Sequence, residues 1–535
     1  MLKALKTLAL GGLASSVGAA YMEPYRPQFH FSPQRNWMND PNGLVFHDGV
    51  YHLFYQYNPG GDTWGAMSWG HATSSDLAHW TQQPIALQAR GFPDAITEMY
   101  FSGTVVVDED NTSGFGEDGK TPLVAMYTSM YPVEQTLPSG KQIQANQQAQ
   151  SIAYSLDNGM TWTTYDAANP VILDPPAPYQ DQFREFRDPS VFWHADTAKW
   201  VAVLSLAQLH KVLFFTSDNL KNWTLESEFG PANAIGGVWE CPSIFPLSLD
   251  DSQTKWVLML GLNPGGPPGT TGSGTQYIVG QFDGTTFTAD PDSIDDASAN
   301  WLDRGPDFYA ALGWNGLPQN NRTIIAWMNN WQYGGAIPTD PWRSAMSAPR
   351  ELALKTINGK ATIVQNPVDT WQSVRRGGNT STFPTVNDGT RNLGPLGKTL
   401  DIELSFANRE AGSGSEASEF GVAVAANEDL TELTRVGYDF ATQEVFVDRT
   451  LSGDVSFDGT FASVYRAPLA PSADGRVALR ILVDWSSVEV FGGQGEASIT
   501  SQIFPSEGSE YVGLFSAGTT TNVRLRVKGV RSTWS

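Results

Sequence analysis

Asn39-Asp40-Pro41-Asn42-Gly43-Leu44-Val45-Phe46 opens on a carboxylate at a turn and runs directly into an apolar strand. The pattern recurs four times: Glu98-Met99-Tyr100-Phe101-Ser102-Gly103-Thr104-Val105, Arg187-Asp188-Pro189-Ser190-Val191-Phe192, Trp239-Glu240-Cys241-Pro242-Ser243-Ile244-Phe245, and Pro306-Asp307-Phe308-Tyr309-Ala310-Ala311. Each is followed by a second β-rich run, at 51–57, 123–129, 200–206, 256–262 and 323–328. In the first four repeats a third strand follows. Three of these end in similar turns: Ser75-Asp76-Leu77-Ala78-His79-Trp80, Leu156-Asp157-Asn158-Gly159-Met160-Thr161-Trp162, and Ser217-Asp218-Asn219-Leu220-Lys221-Asn222-Trp223. The fourth offers the looser Phe282-Asp283-Gly284-Thr285-Thr286-Phe287. Strand runs separated by turn residues, without helical periodicity, predict four-stranded blades and hence a five-bladed β-propeller over residues 21–365.

The repeat stops at a polar, glycine-containing stretch, 366–379, which reads as a linker. Beyond it, alternating segments at 404–406, 420–424, 445–447, 477–483 and 488–491 predict a β-sandwich over 380–535, with Gly412-Ser413-Gly414-Ser415 as a flexible loop. Two all-β domains also suit the length, since 535 residues exceed what one core serves.

The ends and the composition narrow the setting. Lys3 and Lys6, the apolar stretch from Leu8 to Val17, and Gly18-Ala19-Ala20 before Tyr21 read as a cleaved secretory signal over residues 1–20. No later stretch approaches the roughly 20 apolar residues of a membrane span. Asn111, Asn222, Asn321 and Asn379 head N-x-[ST] acceptor sites for glycosylation, as expected of a secreted chain. The single cysteine, Cys241, excludes an intrachain disulfide and any cysteine-based metal site. A formal charge of −23 with no basic cluster argues against nucleic acid and anionic membranes as partners, and favours a neutral substrate.

The first strand of a propeller blade lines the central channel, so the starts of these strands converge from distant positions. Asp40, Asp188 and Glu240 sit there, each one or two residues before a proline that holds the turn in one shape. A lone Asp-Pro pair marks only a turn. Three acids at matching points of three repeats point to chemistry. Glu98 and Asp307, also near blade starts, read equally as substrate contacts or as structural hydrogen-bonding groups. Paired carboxylates at a channel mouth suit glycoside cleavage, one as nucleophile or base, the other kept protonated to serve the leaving oxygen. Cys241 reads as a buried small residue, placed to tune Glu240, because no histidine is near it in sequence to make it a nucleophile.

Trp37-Met38-Asn39-Asp40-Pro41-Asn42-Gly43, Phe186-Arg187-Asp188-Pro189 and Trp239-Glu240-Cys241-Pro242, in that order, resemble the three signature motifs of glycoside hydrolase family 32, the invertase and inulinase family. The resemblance spans essentially the mature chain, including Asp484-Trp485-Ser486-Ser487-Val488-Glu489-Val490-Phe491-Gly492-Gly493, and is nearest to fungal exo-inulinases. It implies a propeller carrying a sandwich, no cofactor or metal, and retaining hydrolysis. By motif, Asp40 would be the nucleophile, Glu240 the acid/base, and Asp188 the transition-state stabiliser with Arg187 beside it. Asn39, Gln56, Trp64, Phe101, Ser102, Arg187 and Trp331 would line the pocket for a terminal fructose, Trp64 and Trp331 giving it an apolar wall. Two positions depart from the family pattern: Ser243 stands where glycine is frequent, and Trp485 where a basic residue is common.

The implied activity is exo-hydrolysis of terminal β-fructofuranosyl residues, with inulin, levan, sucrose and fructose as ligands and a secreted monomer as the working form. A sucrose-preferring invertase or a fructosyltransferase would share the three acids. An arabinan-cleaving propeller fits the motifs less well. A fructan-binding lectin that has lost catalysis is the non-enzymatic alternative, and retention of all three acids argues against it.

Overall fold

The computed structural model describes residues 21–295, 299–318, 322–408 and 416–534. The leader at 1–20, the acceptor Asn321 and the loop at 412–415 lie outside the described residues. The regular secondary structure is almost wholly β, and among the described residues no helix is long and apolar enough to cross a membrane.

Five blades form in chain order. The first three have inner strands Asn36–His47, Met99–Val107 and Phe186–His194, and each continues outward through antiparallel neighbours. The fourth and fifth, with inner strands Val238–Leu249 and Tyr309–Gly313, are bridged at the single parallel pair Leu249 and Leu354. The ring closes where Trp342–Arg343, from blade V, adds a parallel strand to the start of blade I. Arg343 reinforces this closure by donating from Nη2 to Asp62 Oδ2 at 2.8 Å.

Why the middle strands are continuously apolar follows from the closure. In Lys199–Leu206 of blade III, Ala202 and Leu204 pack with Val106, Val124 and Met126 of blade II. The alternate residues Val201 and Val203 pack with Leu258, Leu260 and Ile278 of blade IV. Side chains alternate across a strand, and here both faces meet a neighbouring blade, so both must be apolar. Corresponding cores join blades I and II, IV and V, and V and I.

The recurrent turns are built alike. Asp76, Asp157 and Asn219 each accept backbone N–H bonds through Oδ1 from residues two to four further on. Trp162 and Trp223 close their turns by donating from Nε1 to Gly159 O and Leu220 O. Asp283 does the same for Thr285 and Thr286, so the looser fourth turn is the same device.

The expected linker at 366–379 is largely ordered secondary structure. The last propeller strand reaches Pro367, a 3-10 turn follows at Asp369–Val374, and the first sandwich strand starts at Arg375. Its polar composition arises because Arg375–Val386 is an edge strand with mostly exposed side chains. Two six-stranded sheets then enclose a core that includes Ile402, Leu404, Val422, Val436, Ile481 and Leu514.

A buried ionic network joins the domains. Arg350, at the start of a blade V strand, donates from Nη1 to Asp303 at 2.9 Å and from Nη2 to Glu489 of the sandwich. His30 lies between Glu489 Oε1 at 2.7 Å and Asp484 Oδ2 at 2.9 Å. Asp307 binds Arg449 Nη1 at 2.8 Å and accepts from Tyr333 OH and Gln502 N. The sandwich motif around Asp484 and Glu489 therefore belongs to the domain contact. Trp485 points elsewhere, with Lys398 Nζ 5.4 Å from its ring.

Burial opposes a charge on His30, but its hydrogen bonds to Asp484 and Glu489 and their charges outweigh it and raise its pKa to about 9. Because the folded value exceeds the unfolded one, this contribution is complete below pH 6.5 and is lost as pH rises through 9, about 3 kcal/mol in all. Substituting His30→Gln should lower the melting temperature by several degrees at pH 6, with the difference from the native chain shrinking by pH 9. Calorimetric scans across that range decide it; a pH-independent difference would overturn the assignment.

Candidate active site

All five inner strands break their pairing at the same register. The last paired residues are Met38, Tyr100, Arg187, Glu240 and Tyr309, and pairing resumes at Pro41, Gly103, Ser190, Ser243 and Leu312. The two residues skipped in each strand form a β-bulge, which re-aims side chains and frees backbone groups. Pro189 and Pro242 are bulged residues, where the missing N–H costs no ladder bond, and Pro41 is the residue at which its strand resumes pairing. Asp188, Cys241 and Ala310 adopt left-handed φ of 62°, 49° and 52°. For residues with a Cβ this conformation costs about 1–2 kcal/mol each, a strain the surrounding packing must hold.

The three acids occupy three successive rungs of this register. Glu240 is the last paired residue of its strand, Asp188 the first bulged residue of its own, and Asp40 the second. They are not at identical repeat positions, as the sequence pattern suggested. Bulges from three directions nonetheless bring them together.

Freed backbone and side-chain donors hold them. Asp40 accepts from Ser102 Oγ at 3.0 Å and Asn39 Nδ2 at 3.1 Å, and Trp37 Nε1 fixes Asn39 by donating to its Oδ1 at 2.7 Å. Asp188 accepts at Oδ2 from the bulged N–H of Cys241 at 3.0 Å, while its own N–H donates to Thr128 Oγ1 at 2.9 Å. The Cys241 thiol lies 3.5 Å from Asp40 Oδ2 and 4.0 Å from Asp188 Oδ2. Arg187 places Nη2 3.1 Å from Glu240 Oε1, with Nε 3.7 Å from Asp188, and also binds Glu185.

Tyr309 donates its hydroxyl to Glu240 Oε2 and was not singled out in the sequence. Its signal was available only through register, as the blade V counterpart of Arg187 and Glu240. Trp331 closes an aromatic wall with Trp37 and Trp327, at ring distances of 5.8 Å and 4.9 Å. Trp64, 46% exposed at the rim, meets Phe101 edge to face at 6.0 Å.

Gln56 is buried, and its amide nitrogen donates to Asn42 Oδ1 at 2.6 Å and Tyr100 O at 3.0 Å, bracing the Asp40 bulge. Gly43 belongs to the same brace: its φ is +53°, and a Cβ would lie 2.8–2.9 Å from Val105, Phe54 and Trp69. Glu98 and Asp307 take the structural alternative. Glu98 binds Arg90 and Ser129, and Asp307 lies in the domain junction. Asn111, Asn222 and Asn379 are exposed. Among the described residues no group of three or more His, Cys, Asp or Glu side chains is arranged to hold a metal ion.

Burial first, and the Glu240 charge second, raise the Asp40 pKa to about 6. Burial raises Asp188 to about 7, with Arg187 opposing and Glu240 adding. Like charges crowded into one site titrate together, so the cluster retains a proton in mildly acidic solution. Burial and the three carboxylates push the Cys241 thiol far up, so it is a neutral S–H and not a nucleophile.

The family model for glycosyl hydrolases family 32, N-terminal domain, matches residues 30–367, and the family 32 C-terminal model matches 370–529. The chain belongs to glycoside hydrolase family 32. Within this family it is 60% identical to the extracellular exo-inulinase of Aspergillus niger over 541 residues, covering 100% of this chain and 99% of that one. It is 42% identical to a levanase of Bacillus subtilis over 545 residues, 100% of this chain and 74% of the relative. The crystal structure of exo-inulinase from Aspergillus awamori superposes with a TM-score of 0.94 at 61% identity, covering 96% of this chain and 100% of that one. The family bounds fall at the 3-10 turn between propeller and sandwich.

Removing the Ser102 hydroxyl takes away one of the bonds that favour ionised Asp40. Ser102→Ala should move the acidic limb of the kcat/KM profile to higher pH and reduce activity several-fold at pH 5, with little change above pH 7. A pH–rate profile on a short fructoside checks this; an unmoved acidic limb would show that Ser102 does not act on Asp40.

Proposed function

We propose that this chain is a secreted exo-acting fructan hydrolase that removes terminal β-D-fructofuranosyl residues from inulin, and also from levan and sucrose. The observation that carries the reading is the convergence of Asp40, Asp188 and Glu240 about Arg187 and Cys241 in a family 32 chain. The extracellular exo-inulinase and levanase relatives support the substrate class and the secreted setting.

In this reading the mechanism is a double displacement with retention. An Asp40 oxygen attacks the anomeric carbon of the terminal fructose as the glycosidic C–O bond breaks, and the Glu240 proton passes to the leaving oxygen. Water then gives a proton to Glu240 while its oxygen displaces Asp40, releasing fructose. Asp188, fixed by the Cys241 N–H, holds sugar hydroxyls as charge develops. Arg187 and Tyr309 orient Glu240 from opposite carboxylate oxygens. A double displacement requires Asp40 ionised and a proton on Glu240 at the moment of attack. Asn39, Gln56, Trp64, Phe101, Ser102 and Trp331 surround the terminal sugar, and no cofactor takes part.

Incubation with inulin and with sucrose should release free fructose from the start, without an early phase of oligofructosides. Glu240→Gln should lose about 10²–10⁴-fold in turnover, the usual contribution of a general acid–base group. Chromatography of early products decides between outcomes: oligofructosides first would mean endo cleavage, and no release by the native chain would revive a binding protein.

A further inference from the structure

The propeller channel has two mouths, and the acids use only one. Behind Ser102, Asp188 and Cys241 the channel narrows to a void of about 20 Å³, room for one water. Asn315 then crosses it, donating from Nδ2 to Thr104 Oγ1 at 3.2 Å, Val105 O at 2.9 Å and Val191 O at 3.1 Å. Past this plug the far mouth widens into a separate cup of about 1280 Å³. That exceeds the roughly 300–1,000 Å³ of pockets for drug-sized ligands.

Trp193 stands on the wall of the cup, 41% exposed. Among the described residues the other exposed tryptophan is Trp64, at the mouth that holds the acids. The Trp193 ring is held edge-on by Trp200 at 5.1 Å, and Trp200 is pinned in turn by donation from Nε1 to Thr112 Oγ1 at 2.8 Å. Set on the wall of a concave cup and fixed in place, this ring offers a ligand a preformed apolar face. At the floor lies Arg322, its guanidinium 4.4 Å from the Phe245 ring centroid and without an ion pair to a carboxylate among the described residues. Around the rim stand the exposed carboxylates of Asp48, Asp196 and Asp251.

Donor floor, acceptor rim and aromatic wall suit one ligand chemistry. A carboxylate rim on a chain of charge −23 repels anions, and the floor guanidinium disfavours a cation. A neutral polyol satisfies all three elements, stacking C–H faces on the indole and offering hydroxyls to the charged groups. We propose that this cup is a second, non-catalytic site for a neutral oligosaccharide stretch of the fructan that the opposite mouth trims. The proposal rests on the fructan reading above. Two sites on one rigid body hold a polymer by raising its effective concentration, an advantage that a disaccharide cannot use.

The test uses the full chain and short inulin-type oligosaccharides. In the Glu240→Gln background, titration calorimetry should show two sites per chain, and one when Trp193→Ala is added. In the active enzyme, Trp193→Ala should leave sucrose kcat and KM unchanged while retention on insoluble inulin falls several-fold. A single site in the Glu240→Gln chain, or retention untouched by Trp193→Ala, would overturn the proposal. If Trp193→Ala disturbs folding, seen as lost sucrose activity, Asp196→Arg on the exposed rim fills the cup instead and must give the same loss of retention. Failure of the fructan reading itself would show separately, as no hydrolysis of sucrose or inulin by the native chain.

Discussion

Two buried carboxylates and a third, half-buried one beside them repel one another, and the rest of the molecule is arranged to hold them together. Asp40, Asp188 and Glu240 would each gain by moving apart into water. They stay because every one is fixed by a group that cannot follow it out: the Ser102 hydroxyl, the Cys241 backbone N–H, the Arg187 guanidinium and the Tyr309 phenol. Those groups come from four different blades. A ring of blades supplies donors from several sides of one small volume while leaving only short outer strands as sheet edges. The repulsion then becomes useful, because it keeps a proton in the cluster under mildly acidic conditions.

The bulges are where fold and chemistry meet. A regular inner strand would commit its N–H and C=O groups to its neighbour and turn alternate side chains away from the channel. Skipping two residues at one register in all five strands releases those groups for the neighbouring blade. Thr128 takes up the N–H of Asp188, Asp188 takes up that of Cys241, and the indole of Trp69 donates to the carbonyl of Phe101. The left-handed residues among them are held by packing of Cys241 and Ala310 against neighbouring blades and by the hydrogen bonds of Asp188.

The sandwich contributes at a distance. It touches the propeller through fully buried charges, Arg350 with Glu489 and Asp303, and Arg449 with Asp307. Removing one partner from such a pair typically costs about 3–5 kcal/mol, because the other is left buried and unpaired. Such an interface is specific in orientation, and it fastens the segment that leads into blade I, through His30, and the strands of blade V to one body. These are the two blades whose junction closes the ring.

Several features were legible in the sequence because local chemistry alone dictates them. Asp-Pro and Glu-Cys-Pro before apolar runs placed the acids at strand starts, the Asp-containing turns marked the blade edges, and alternation marked the sandwich. Pro41, Pro189 and Pro242 were visible as turn-makers. What sequence spacing could not supply was register. It could not show that Glu240, Asp188 and Asp40 stand on successive rungs, that Tyr309 reaches Glu240, or that Asp307 turns to Arg449 in the other domain. Nor could composition distinguish a polar linker at 366–379 from a polar edge strand. Each of these depends on which residues from distant segments face one another, and that is decided by how five blades close into a ring and not by any residue's neighbours along the chain.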